Sequence, residues 1–209
     1  MSLKPSVFVI DDDASVRKSL DRLLTAAGYQ SESVSSALDF LDRPPCSGPS
    51  CVIVDVRMPG LNGLDFQETL IQRRREEQLI FITGHGNVPM CARAMKAGAV
   101  DFLPKPFKPD ELLQCVERAL TRSLEQRSVA TEREQARQLL DSLTSREFEV
   151  MQQISTGRLN KQVAAELGIA EKTVKVHRGR MMQKLGITSV AELVRLMQKG
   201  GVAGEASHQ

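Results

Sequence analysis

Three consecutive aspartates, Asp11, Asp12 and Asp13, follow the apolar run Val7-Phe8-Val9-Ile10, and a fourth, Asp55, closes the run Cys51-Val52-Ile53-Val54. Thr83 and Gly84 close Leu79-Ile80-Phe81-Ile82, and Lys105-Pro106 follows the run that ends at Leu103. Carboxylates brought together repel unless a hard divalent cation sits among them, and Mg²⁺ takes one or two carboxylates completed by phosphate and water oxygens. An ammonium and a hydroxyl beside such a group offer a positive charge and a donor to an incoming tetrahedral anion. Taken singly, each residue has an ordinary explanation. Asp55 can be a turn or cap acid, and Asp13 is placed to cap the helix that follows it. The chemistry depends on whether the chain brings these residues to one edge.

β-Branched runs closed by Pro or Gly read as strands buried on both faces. Between them come helical periods over residues 15–27 (Val16, Leu20, Leu23 and Leu24 on one side, Gly28 as the stop), 37–41, 64–74 and 88–96, with a further helix from Pro109 and a weak strand at 30–34. Five strand-then-helix units with short connections predict an α/β doubly wound, five-stranded parallel sheet of the flavodoxin-like kind, with right-handed crossovers. Ligands of such sheets bind beyond the carboxyl ends of the strands, which is where Asp11, Asp12, Asp55, Thr83 and Lys105 fall.

The 209-residue chain has room for two domains. Residues 1–120 carry 14 basic and 16 acidic side chains, and residues 121–209 carry 14 and 10, so an acidic front is joined to a basic back that suits a polyanion. Cys46, Cys51, Cys91 and Cys115 have no metal-type spacing and read as reduced thiols. No apolar run approaches membrane-spanning length, so a soluble, cytoplasmic protein without a membrane partner is expected.

The acid pair, Asp55 with its following Met58-Pro59-Gly60, Thr83 and Lys105-Pro106 resemble the receiver domain of two-component response regulators, here over residues 1–121. The run Thr83-Gly84-His85-Gly86-Asn87-Val88-Pro89-Met90, with Ala94-Met95-Lys96-Ala97-Gly98-Ala99-Val100-Asp101-Phe102, resembles the FixJ-like branch in particular. The resemblance implies that Asp55 accepts a phosphoryl group from the phosphohistidine of a sensor histidine kinase. It also implies that Asp12, Asp55 and the backbone carbonyl of Arg57 ligate Mg²⁺ (or Mn²⁺), with Asp11 acting through water. Thr83 and Lys105 would bind the phosphoryl group, and Phe102 would turn inward as the Thr83 loop shifts. A Phe there has no phenol hydroxyl, so its motion is read by packing, and a plain core role is the alternative. Arg57 and His85 occupy positions that tune phosphoryl lifetime in this family. His85 is not expected to ligate metal, having no second His or Cys near it in sequence. Receivers often hold a cis peptide at the bond equivalent to Lys105-Pro106.

Residues 110–156 contain neither Gly nor Pro, which favours a helical linker at 122–142 over a short disordered hinge near 126–131. Thr144-Ser145-Arg146-Glu147 has the form of a capping box. Four helices then follow, at 145–156, 161–167, 171–185 and 190–199, closed by Gly157, Gly168, Gly186 and Gly200. The second and third form a helix-turn-helix, and residues 158–184 carry 7 basic and 2 acidic side chains. On the third helix Val174, Met181 and Leu185 mark the buried side, while Lys172, Val176, Gly179 and Gln183 point away, flanked by Lys175 and Arg180.

Leu143-Thr144-Ser145-Arg146-Glu147, Val150, Gly157, Asn160-Lys161-Gln162-Val163-Ala164, Leu167-Gly168-Ile169, Thr173-Val174-Lys175-Val176-His177 and Lys184-Leu185-Gly186 resemble the LuxR-type DNA-binding domain, at residues 143–200. That resemblance implies that Lys175 and Val176 read base edges, while Lys161, Thr173, Arg178 and Lys184 hold phosphates; Lys172 and Arg180 share the outward face. Gly179 stands at the family's third reading position and has no side chain, so readout narrows or passes to Arg180. Ala170 stands where the family usually has a capping Ser or Thr. The last helix, with Val190, Ala191, Val194 and Leu196, is expected to pair with a second copy, and residues 201–209 are expected to form a disordered tail.

The expectation is a DNA-binding transcriptional regulator, switched by phosphorylation of Asp55 and acting as a homodimer on promoter DNA with RNA polymerase. Two rivals remain: a transcription factor controlled by an effector with a silent receiver, and an Asp-nucleophile phosphohydrolase. The second would want an acid where Arg57 stands.

Overall fold

In the computed structural model, which describes residues 5–84 and 88–202, the chain divides into two compact units between Arg127 and Ser128. His85 and residues 203–209 of the expected tail lie outside the described residues. In the first unit β1 (Ser6–Ile10), β2 (Gln30–Val34), β3 (Ser50–Asp55), β4 (Gln78–Thr83) and β5 (Asp101–Pro104) form one parallel sheet in the order β2-β1-β3-β4-β5. The helices α1 (Ala14–Ala26), α2 (Ala37–Leu41), α3 (Gly63–Gln72) and α4 (Val88–Lys96) connect the strands, and α5 (Pro109–Asp141) follows the last.

Side chains alternate across each strand, so each run supplies two cores. Phe8, Ile10, Val52, Val54 and Phe81 pack against Phe40, Leu64, Phe66, Leu70 and Ala94 from α2, α3 and α4. Val7, Val9, Ile53, Ile80 and Ile82 pack against Leu20 and Leu24 of α1 and Leu112, Val116 and Ala119 of α5. Each such side chain taken out of water contributes about 1.5–3 kcal/mol, which is why the two-sided runs define the sheet more firmly than the half-exposed β2.

The register sets up the crevice. Ile10 lies opposite Val54, Asp55 opposite Ile82, and Thr83 opposite Pro104. Asp11, which follows Ile10, therefore lies beside Asp55, and Thr83 is one residue past Asp55's partner on the next strand.

One helix ends earlier than its period suggests. α3 stops at Gln72 rather than near Arg74, whose φ of 54° is left-handed. The cause is the next residue: Arg75 is buried against Glu77 at 2.6 Å and donates to the Arg43 carbonyl at 2.9 Å, which pulls the chain off the helical path.

α5 is continuous over 33 residues, so residues 122–141 are helical. In the first unit it is tied by the Ser123 hydroxyl, which accepts the Ser50 N–H at 3.1 Å, and by Arg127, which donates to the Cys46 and Ser47 carbonyls at 3.2 and 2.6 Å. In the second unit its Ala136 and Leu140 are buried.

That second unit adds α6 (Ser145–Ser155), α7 (Asn160–Leu167), α8 (Glu171–Leu185) and α9 (Val190–Gly200) around Val150, Met151, Ile154, Val163, Val174, Met181, Leu193 and Met197. The capping box at Thr144 and Glu147 is formed. The turn between α7 and α8 rests on Gly168, whose φ of 64° an L side chain rarely adopts, and Ile169 N–H closes it on the Ala164 carbonyl at 3.1 Å. α9 runs one residue past its expected stop: Gly200 is helical and Gly201 takes the left-handed cap. Val202, expected in the tail, donates to the Met197 carbonyl at 3.0 Å and packs on the core. Among the described residues no helix is long and apolar enough to cross a membrane.

Candidate functional site

The strand ends bring together the residues singled out by type. Asp11 is 1% exposed, and its Oδ2 accepts from Lys105 Nζ at 2.8 Å, while Asp55 Oδ2 accepts from the same nitrogen at 3.0 Å. Burial works against the Lys105 charge, but the two carboxylate hydrogen bonds outweigh it and raise the pKa above the ordinary lysine value. Carboxylate oxygens of Asp11, Asp12 and Asp55 lie within 4.8 Å of one another. Three oxygens at that spacing, one acid buried and one exposed, fit a small hard cation such as Mg²⁺, which keeps several waters. The third residue of the acid run does something else. Asp13 caps α1, its Oδ1 accepting the Ser15 N–H at 2.7 Å, and a hydrogen bond from the Ser15 hydroxyl, with the N–H adding to it, lowers its pKa.

Local backbone contacts hold the acids in place. Asp55 Oδ1 accepts the Arg57 N–H at 3.2 Å, and Asp11 Oδ1 accepts the Asp13 N–H at 2.9 Å. Thr83 is buried at the end of β4, and its carbonyl accepts the Lys105 N–H at 2.7 Å, so the lysine loop is tied to the strand that carries the hydroxyl. The Lys105-Pro106 bond is cis, as the resemblance suggested. Phe102 is half-buried, its ring centroid 6.1 Å from that of Phe81.

Two residues that shape this crevice carry no signal of their own in the sequence. Gly63 begins α3 so close to β3 that a Cβ there would stand 2.6 Å from the Asp55 carbonyl oxygen, a distance no side chain tolerates. Arg17, one turn into α1, donates from Nη1 to the Asp11 and Asp12 carbonyls at 2.6 and 3.0 Å. A Gly after Asn and an Arg on an exposed helix face look like a turn and a solvated charge until the tertiary neighbour is known.

The second unit presents a different surface. Val174, Met181 and Leu185 of α8 are buried, while Lys172, Thr173, Lys175, Val176, Gly179, Arg180 and Gln183 are exposed, Val176 by 44%. Lys161 at the start of α7 is exposed too. Some of the side chains expected on DNA already have partners. Arg178, expected on a phosphate, donates to Asn160 Oδ1 at 3.1 Å, and Lys175, expected at a base edge, pairs with Glu171 at 3.1 Å in an exposed i,i+4 contact. Lys184 is held more firmly, 2.6 Å from Oε2 of the buried Glu147. The Lys184 hydrogen bond, with help from the Thr144 N–H, lowers the Glu147 pKa to about 2. Ala170 stands at the N-cap of α8 without a side-chain hydrogen bond, as its residue type requires.

Comparison with known proteins matches both units to known families. Residues 7–117 match the model of the response regulator receiver domain, and residues 141–197 match that of bacterial regulatory proteins of the luxR family. Nodulation protein W of Bradyrhizobium diazoefficiens is 43% identical over 208 residues, covering 100% of this chain and 92% of that protein. The response regulator protein TodT of Pseudomonas putida is 42% identical, covering 92% of this chain and 85% of its own. The transcriptional regulatory protein FixJ of B. diazoefficiens is 37% identical, covering 98% and 100%. Among solved structures, the response regulator StyR shares 47% identity with a TM-score of 0.87, covering 94% of this chain and 100% of that one.

Proposed function

The chain belongs to the response regulators that join a receiver to a luxR-family DNA-binding domain, and from that premise we propose that phosphorylation of Asp55 switches its binding to promoter DNA. The observation that carries this reading is the placement of Lys105 Nζ between Asp11 Oδ2 and Asp55 Oδ2, at 2.8 and 3.0 Å, in the group of three acids.

An Asp55 oxygen attacks the phosphorus of a sensor kinase's phosphohistidine. The P–N bond breaks, the imidazole nitrogen leaves and takes up a proton, and a mixed anhydride remains on Asp55. Asp12, Asp55 and the Arg57 carbonyl would hold Mg²⁺ or Mn²⁺, with Asp11 acting through water, and the bound ion supplies charge neutralisation at the phosphoryl oxygens. Lys105, kept protonated by its two carboxylates, moves its hydrogen bond to a phosphoryl oxygen, and the Thr83 hydroxyl donates to another. Phe102, already at the edge of the Phe81 core, reports the change by packing inward. The same geometry lets the receiver assist its own phosphorylation from small donors and its own dephosphorylation.

In the output domain Lys175 and Val176 meet base edges, while Lys161, Lys172, Thr173, Arg178 and Arg180 contact phosphates or flank the groove. Lys184 joins them only by giving up Glu147. Two copies paired through α9 match a two-fold site, and RNA polymerase is the downstream partner, in the cytoplasm.

Labelling the full chain with acetyl phosphate and Mg²⁺ tests this reading. Stoichiometric, hydroxylamine-labile phosphate at Asp55 is expected. Labelling elsewhere overturns it, and multiple turnover with release of phosphate favours a phosphohydrolase.

A further inference from the structure

Resting on the reading of Asp11, Asp12 and Asp55 as a divalent-cation site, we infer that Arg17 is a positioning residue for that cation, fixing the backbone of the acid pair through its two carbonyls. Sheet pairing gives little hold here. The Asp11 N–H reaches the Val34 carbonyl only at 3.5 Å, and Asp12 sits at an exposed bend beyond the ladder. In an extended chain successive carbonyls point to opposite sides, so a single donor nitrogen can meet two of them only where the backbone turns. Arg17 Nη1 meets both, at 2.6 and 3.0 Å, and thereby holds the turn that sends the Asp11 and Asp12 side chains toward Asp55.

The placement of the charge matters as much as the hydrogen bonds. Among the described residues Arg17 makes no ion pair with a carboxylate, whereas Lys105 bridges two. An arginine paired with Asp12 would compete with the cation for its oxygens. One spent on carbonyls orders the ligands and leaves their charge available. Two effects oppose each other when Arg17 is removed: the ligands lose their fixed geometry, and the cation loses a positive neighbour. The second is softened by solvent at this exposed bend, while outer groups that orient metal ligands change metal affinity by about 10–100-fold, so the geometric effect dominates.

The test measures Mn²⁺ binding by electron paramagnetic resonance on the full-length parent, Asp12→Asn, Arg17→Met and Arg17→Lys. Arg17→Met keeps the aliphatic stem and removes every donor. It is expected to bind Mn²⁺ about tenfold more weakly than the parent, with Arg17→Lys in between. In acetyl phosphate labelling the Mg²⁺ half-saturation point is expected to shift by the same factor, while the rate at saturating Mg²⁺ stays within about twofold of the parent, a split that general loosening of the fold would not give. Arg17→Met binding as tightly as the parent, or more tightly, overturns the inference. If Arg17→Met does not melt cooperatively, Arg17→Lys decides, and parent-like binding by it is equally fatal. A parent that binds no Mn²⁺, or an Asp12→Asn protein that binds it normally, instead overturns the cation-site reading beneath.

Discussion

Charge is handled in opposite ways at the two ends of this molecule. In the receiver, Lys105 is turned inward between Asp11 and Asp55, so each charge is placed by another and a small displacement costs function. On α8 the outward lysines and arginines are exposed, and Lys175 is restrained only by a loose surface pair with Glu171. The first arrangement suits chemistry, which depends on alignment. The second suits a polyanion, where affinity adds up over many contacts and salt competes. Lys184 crosses this division, being a basic residue of α8 bound to the buried Glu147.

The strongest break should come in the inward-facing site. Lys105→Met is expected to slow acetyl phosphate labelling of Asp55 by about 10²–10³-fold, as loss of an electrostatic donor at a developing anion does, while leaving the salt dependence of DNA binding unchanged. Labelling at a parent-like rate would place the needed charge elsewhere.

Next comes Glu147, the inward-facing charge of the output unit. Its pKa of about 2, against an ordinary 4.5, means that its stabilisation is fully present above about pH 4.5 and is lost as pH falls toward 2. Glu147→Gln removes the ion pair while keeping an amide oxygen to accept the Thr144 N–H of the capping box. It should cost about 2 kcal/mol at neutral pH, lowering the output unit's melting temperature by about 8–16 °C, and flatten its acid dependence between those pH values. Calorimetry across pH reads both, and an unchanged acid limb would show that the Glu147–Lys184 pair contributes nothing.

On the outward face the effects should be smaller and sensitive to salt. Lys172→Ala is expected to weaken binding to all DNA sequences alike, by several-fold, and to reduce the slope of log affinity against log salt by about 1. A change in base preference instead would make Lys172 a reader. The smallest change expected is a gain: Ala170→Ser supplies the missing cap of α8 and should stabilise the output unit by about 0.5–1 kcal/mol, visible as a melting temperature a few degrees higher.

Much of the molecule could be read without coordinates because local chemistry and tertiary role coincide. β-Branched runs such as Val52-Ile53-Val54 are strands wherever they are buried, and a strand end in a parallel sheet is already a site, so Asp11, Asp55, Thr83 and Lys105 followed from their positions. The hidden features all needed a partner on another element or loop. Gly63 is required by the Asp55 carbonyl, Arg75 by Glu77 and the Arg43 carbonyl, and Lys184 by a glutamate 37 positions earlier. The family resemblance puts Lys184 among the phosphate contacts, and nothing near it in sequence points to its pairing with Glu147. The stop of α9 moved from Gly200 to Gly201 because two adjacent glycines can both take the cap and only the packing of α9 chooses.

The link between the two kinds of charge is tested most directly by titrating a genomic promoter fragment with the full-length protein, with and without acetyl phosphate and Mg²⁺, beside an Asp55→Asn protein treated identically. Protection at lower protein concentration after phosphodonor treatment, seen with the parent and absent with Asp55→Asn, is the expected result. Equal protection by both proteins under both conditions would contradict it, leaving the acidic crevice with no hold over the basic helix.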